Sequence, residues 1–108
     1  MIETLAVGKL KWHHITDPTE EDFVELKEKF NFHPLDIEDC RSVNQRPKID
    51  IYDDYYFIIL QYPDFDRQDR FVFTKEVKLF WGKDYIITLE RKRWHVSQLF
   101  NEYSERDD

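Results

Sequence analysis

The residues of this chain with the densest capacity for chemistry lie between His33 and Tyr55, in the stretch HPLDIEDCRSVNQRPKIDIYDDY. Glu38-Asp39 is an adjacent pair of carboxylates near the end of a short helix, two anions that attract cations. The bland alternative is a solvated helix end with a carboxylate paired to Lys48 or Arg41. Asp36 falls on the same side of a helix as Asp39, where like charges repel unless a cation bridges them, and it reads as a surface acid with no partner. Cys40 invites a catalytic-thiol reading. A reactive cysteine needs a neighbour that lowers its pKa, though, and the acidic surroundings do the opposite, so Cys40 reads as a buried structural residue.

The other candidates carry less. Asp50, Asp53 and Asp54 lack the glycine and the closing glutamate of a calcium loop and read as turn formers. His33 and Pro34 suit the start of a helix. His13 and His14, adjacent in a strand, point to opposite faces and do not share a metal, and His95 has no Cys or His partner at a zinc spacing. No nucleophile, phosphate loop or cofactor motif is present, so the sequence argues against an enzyme and offers no catalytic residue.

The elements that must position Glu38 and Asp39 follow from patterning. Leu10 to Ile15 alternates as a strand, with Leu10, Trp12 and His14 on one face and Lys11, His13 and Ile15 on the other. Asp17-Pro18-Thr19-Glu20 starts a helix with Asp17 as N-cap, and that helix runs to about Phe30 with Phe23, Leu26 and Phe30 on its apolar stripe. Pro34 opens a second helix of about two turns, ending before Asn44. Lys48 to Tyr52 alternates as a half-buried strand after Pro47, Asp53-Asp54 turns the chain, and Tyr55 to Tyr62 is the best strand, rich in aromatic and β-branched residues. Residues 63–69 read as a polar loop. Phe71 to Trp81 and Tyr85 to Leu89 form a hairpin about Gly82-Lys83-Asp84, and Trp94 to Tyr103 is spaced as a final helix. The fold class expected is α/β: a mainly antiparallel, mixed sheet of about five strands covered by helices, layered α/β/α, and incomplete at the C-terminus.

Composition sets outer bounds. The 108 residues suit one domain, 1–108. The net charge is −7, and the segment from Asp17 to Asp39, with nine acids against Lys27 and Lys29, accounts for all of it. That field disfavours nucleic acid and anionic lipid and attracts cations. Arg91-Lys92-Arg93, the only basic cluster, reads as a helix or subunit contact. One cysteine allows no internal disulfide. The longest apolar run, Tyr55 to Leu60, has six residues, against about 20 for a membrane helix.

Five features then fall in register: Trp12 before Ile15-Thr16; the helix from Thr19 to Phe30; Phe32-His33-Pro34-Leu35 with Ile37-Glu38-Asp39; Asn44 to Lys48; and Tyr52-Asp53-Asp54-Tyr55 leading into Phe57 to Leu60. Together with the hairpin from Glu76 to Thr88, they resemble the N-terminal cytoplasmic domain of the CorA-type magnesium/cobalt transporter family. The resemblance implies a regulatory, metal-sensing domain on the cytoplasmic face of the cell membrane that conducts nothing itself. It reaches the membrane only through segments beyond this chain, since the family's pore signature, Gly-Met-Asn, is absent and Met1 is the only methionine. It further implies a homopentamer in which Glu38 and Asp39 contribute to a weak regulatory Mg2+ site, open also to Co2+, completed by an acid from a neighbouring identical subunit. Two alternatives stay open: a noncatalytic domain binding a basic partner through its acidic helices, and the equivalent domain of a zinc-transporting branch.

Overall fold

The computed structural model describes residues 2–42, 45–67 and 70–91. In chain order the elements are β1 (Ile2–Val7), β2 (Leu10–Thr16), α1 (Glu20–Phe30), α2 (Pro34–Arg41), β3 (Lys48–Ile51), β4 (Tyr55–Asp66), β5 (Phe71–Gly82) and β6 (Tyr85–Glu90). They form one six-stranded sheet in the order β1-β2-β6-β5-β4-β3. Every neighbouring pair is antiparallel except β2 and β6. The mixed, mainly antiparallel sheet of the sequence reading is therefore present, with six strands rather than five.

The added strand is β1. Its sequence, IETLAV, offers a weak apolar signal, but it pairs with β2 from Ile2↔Ile15 to Val7↔Leu10. The two-residue connection begins at Gly8, whose φ of +62° is open to glycine at little cost. A second correction concerns residues 63–66, read as loop but part of the ladder through Asp66↔Phe71. β3 pairs only with Tyr56 to Ile59 of β4. Beyond them β4 is an edge strand, where Pro63's missing N–H is tolerated. At the base of the β5–β6 hairpin, Gly82 admits no side chain, because a Cβ there would run into the Tyr85 ring.

One face of the sheet carries the core. Alternation places Ile15, Tyr55, Phe57, Ile59, Phe80, Ile87 and Leu89 on that face, and they pack with Phe23 and Leu26 of α1, Phe32 of the connection, and Ile37 and Cys40 of α2. Phe32 and Phe80 stack with centroids 3.9 Å apart and planes 8° from parallel. The opposite face holds a buried polar set on β2 and β6. The Trp12 indole donates to Thr88 Oγ1 at 2.9 Å, His14 Nδ1 lies 2.7 Å from the same oxygen, and His14 Nε2 lies 3.2 Å from Glu90 Oε1. His13 and His14 do point to opposite faces: His13 stacks edge-on against Phe30. The expected helix over Trp94 to Tyr103, and with it the second helical layer, lies outside the described residues.

Helix α1 starts two residues later than expected. Thr19, not Asp17, is the N-cap: its hydroxyl accepts from Asp22 N at 3.3 Å, and Asp22 accepts from Thr19 N at 2.9 Å. This reciprocal capping box outcompetes Asp17, which sits at φ +49°. Thr19→Ala should cost about 1 kcal/mol, read as a lowered urea midpoint with an unchanged slope.

Candidate functional site

Helix α2 carries the candidate carboxylates, and its start is built from side chains. His33 is the N-cap: its Nδ1 accepts from Leu35 N at 3.1 Å, and Pro34 occupies the first turn. The backbone N–H of His33 donates to Tyr55 Oη at 2.9 Å, and that hydroxyl donates to Asp36 Oδ2 at 2.7 Å. Tyr52 Oη donates to Asp36 Oδ1 at 3.0 Å. The two tyrosine rings stack at 4.7 Å. Asp36 is thus no partnerless surface acid. It is 1% exposed, whereas Leu35 beside it is 67% exposed. Burial raises the Asp36 pKa despite the opposing tyrosine hydrogen bonds. Burial and the bond to Asp36 together push Tyr52 up to about 12.

With Asp36, Ile37 and Cys40 turned inward, Glu38 is exposed, Asp39 is half-buried against β3, and the two carboxylates diverge. Glu38 Oε2 accepts from Arg41 Nη1 at 3.2 Å. Arg41 is gripped elsewhere as well, with Nε and Nη2 each 3.0 Å from the Glu20 carboxylate on α1 and the guanidinium 5.2 Å from the Phe23 ring centroid. Asp39 Oδ2 accepts from Lys48 Nζ at 2.7 Å, and the same ammonium lies 3.0 Å from Asp50 Oδ2. Lys48 reaches from the edge strand β3 over the Phe57 ring, and its two carboxylate partners hold it above the usual lysine range. The pairings weighed from sequence, with Arg41 and with Lys48, are both present, one on each acid. Among the described residues no three His, Cys, Asp or Glu side chains converge where they could hold a metal ion.

The remaining candidates are structural here. Cys40 is 2% exposed, and burial pushes its thiol up to about 12, far from a nucleophile at neutral pH. Asp53 and Asp54 form the β3–β4 turn, closed by a Tyr52 N–H to Tyr55 O bond of 2.9 Å. Arg91 donates to the carbonyl of Arg41 at 3.2 Å, a contact with the end of α2. The residues that sequence reasoning missed are Tyr52 and Tyr55. Their signal was present in the paired tyrosines flanking Asp53-Asp54, but nothing in the pattern said that an acid lay opposite them.

Residues 7–108 match the model of a family described as CorA-like Mg2+ transporter protein. The chain belongs to this family. It is 35% identical over 89 residues to a putative metal ion transporter, YfjQ, of Bacillus subtilis, covering 81% of this chain and 27% of that protein. It is also 30% identical over 96 residues to the cobalt/magnesium transport protein CorA of Thermotoga maritima, covering 88% of this chain and 26% of that one. The CorA-like chain thus spans about a quarter of the length of these relatives. Its fold is that of the soluble domain of CorA from Methanocaldococcus jannaschii, with a TM-score of 0.74 at 17% identity, over 93% of this chain and 39% of the other. Among the described residues no helix is long and apolar enough to cross a membrane.

Proposed function

We propose that this CorA-like domain is the regulatory, metal-sensing part of a divalent-cation transporter, lying on the cytoplasmic side of the membrane and noncatalytic. Its cargo is Mg2+ or Co2+, and conduction belongs to segments beyond this domain. The observation that supports the reading is the pair of carboxylates on α2, Glu38 exposed and Asp39 half-buried, on a helix whose inward side is locked to the sheet. A rigid helix carrying two carboxylates with access to water offers a hard cation single oxygen ligands, and magnesium accepts so few because water fills its remaining positions.

Because Glu38 and Asp39 diverge within one chain, the rest of the ligand set comes from a neighbouring identical subunit in a homopentamer. An ion held by so few protein oxygens binds weakly, as a sensor of a plentiful cation must. Bound ion bridges subunits and favours the closed assembly, and its loss releases that bias. In the intact transporter, Glu38→Gln with Asp39→Asn should raise the Mg2+ concentration for half-maximal closure by roughly fivefold or more, measured as Mg2+ inhibition of flux in proteoliposomes. Unaltered inhibition would remove these two residues from the sensor.

A further inference from the structure

We infer that the cavity at the exit of β6 is a binding site for a small oxyanion of the phosphate class, gripped by Lys78 and Arg91. The inference is independent of the metal-sensing reading above.

The cavity has a volume of about 170 Å3 and lies where β5 and β6 pass the C-terminal end of α2, against the ~10–15 Å3 that a single water needs. Lys75, Lys78 and Arg91 line it with Glu76 and Glu90, so cations outnumber acids here in a chain whose net charge is −7. Two of these cations are deeply buried, with Lys75 9% and Lys78 6% exposed. Taking an ammonium out of water is costly unless its N–H groups and its charge are met.

Donors and acceptors are out of balance around this space. Lys78 Nζ donates to the carbonyl of Ser42, and Glu76 Oε2 stands 3.5 Å away, an ion-pair distance too long for a good hydrogen bond. An ammonium has more N–H groups than that one bond uses. Arg91 Nη2 donates to the carbonyl of Arg41, which leaves most of the guanidinium's donor fork available at an exposed position. The acids, by contrast, are engaged. Glu76 Oε1 accepts from Gln45 N at 2.8 Å, and Glu90 Oε1 lies 3.2 Å from His14 Nε2. A cavity with donors to spare and its carboxylates occupied suits a ligand that brings acceptors and negative charge.

Capping the end of α2 is a role that Lys78 and Arg91 already fill, since cations suit the negative end of a helix dipole. That role takes one N–H from each and requires no cavity beside them. Water alone meets spare donors but not the surplus of positive charge. The acidic exterior repels extended polyanions, so a compact oxyanion is the ligand that fits.

The test titrates inorganic phosphate into the intact chain, against chloride at matched ionic strength, and follows amide shifts. Phosphate should give saturable shifts confined to residues 74–78 and Arg91. Lys78→Gln and Arg91→Gln should each weaken binding roughly tenfold, the loss expected for a hydrogen bond to a charged group. Lys83→Gln, at an exposed lysine of the β5–β6 turn, should leave it unchanged. Because Arg91 is exposed, its variant keeps the test decisive if Lys78→Gln impairs folding. Adenosine monophosphate distinguishes the source: binding as tight as phosphate or tighter assigns the site to a nucleotide's phosphoryl group, weaker binding assigns it to free phosphate, and both uphold an oxyanion site. Chloride moving the same amides as strongly, or a phosphate response that survives Lys78→Gln and Arg91→Gln, would overturn the inference and leave a cavity that holds water only.

Discussion

Replacing Phe80 by alanine should lower the unfolding free energy by about 3 to 5 kcal/mol, the range for emptying a buried aromatic position. Phe80 is fully buried near the middle of the sheet. Its ring stacks on Phe32 at 3.9 Å and touches Phe57 at 4.8 Å and Tyr55 at 5.8 Å. Truncation removes the floor on which Phe32 rests, and Phe32 directly precedes the N-cap of α2, so the cavity opens under the helix that carries Glu38 and Asp39. The β5 backbone is pinned between β4 and β6 and cannot collapse inward to fill the space. A domain of this size has roughly 5 to 15 kcal/mol in total, so the variant stands close to unfolding at 37 °C. The adjacent Trp81 is 48% exposed on the other face, and Trp81→Ala provides the control. Urea denaturation of both should show a much larger loss for Phe80, and equal losses would mean that the core does not sit between helices and sheet.

Much of this architecture was legible because period and punctuation agreed. The aromatic and β-branched stretch of β4, the hairpin into β6 and the proline opening α2 all lie close to where patterning puts them. Faces were harder to read. Lys48, Ile49, Asp50 and Ile51 alternate as expected, yet the isoleucines are the exposed set, at 64% and 74%. Lys48 and Asp50 turn instead to the helix side, where Asp39 receives the lysine. The alternation gives a strand, and only the partner across the gap decides which half is inside.

The same limit applied at α2. Leu35 is apolar and exposed while Asp36 is charged and buried, an inversion that follows from the two tyrosine hydroxyls facing the helix from the β3–β4 turn. The acidic pair itself was visible in the sequence, but its cations were not ranked. That Arg41 is fixed by Glu20 while Lys48 bridges Asp39 to Asp50 depends on contacts among three elements that no local spacing encodes.

Asp36 is the point at which helix, sheet and site meet, and Asp36→Ala should cost about 2 to 4 kcal/mol at pH 7. The change removes two hydrogen bonds to a charged acceptor and leaves the Tyr55 and Tyr52 hydroxyls without the oxygens they face. Asp36→Asn keeps the shape and one acceptor, so its loss should be at most about 1 kcal/mol.

The pH dependence separates the competing influences on this carboxyl. Burial raises its pKa above the ordinary 3.8, and the tyrosines pull the other way. Because burial dominates, the folded protein holds this proton over a range of pH in which the unfolded chain has released it. Stability drawn from Asp36 then rises as pH falls from above the folded pKa toward the unfolded value. Comparing wild type with Asp36→Asn cancels the groups distant from this residue. Urea midpoints at pH 7 and at about pH 4.5 should show wild type gaining on Asp36→Asn as the solution is acidified. A difference that shrinks instead would mean that the two tyrosines depress the pKa, and that Asp36 anchors α2 as a bound anion whose charge the fold favours.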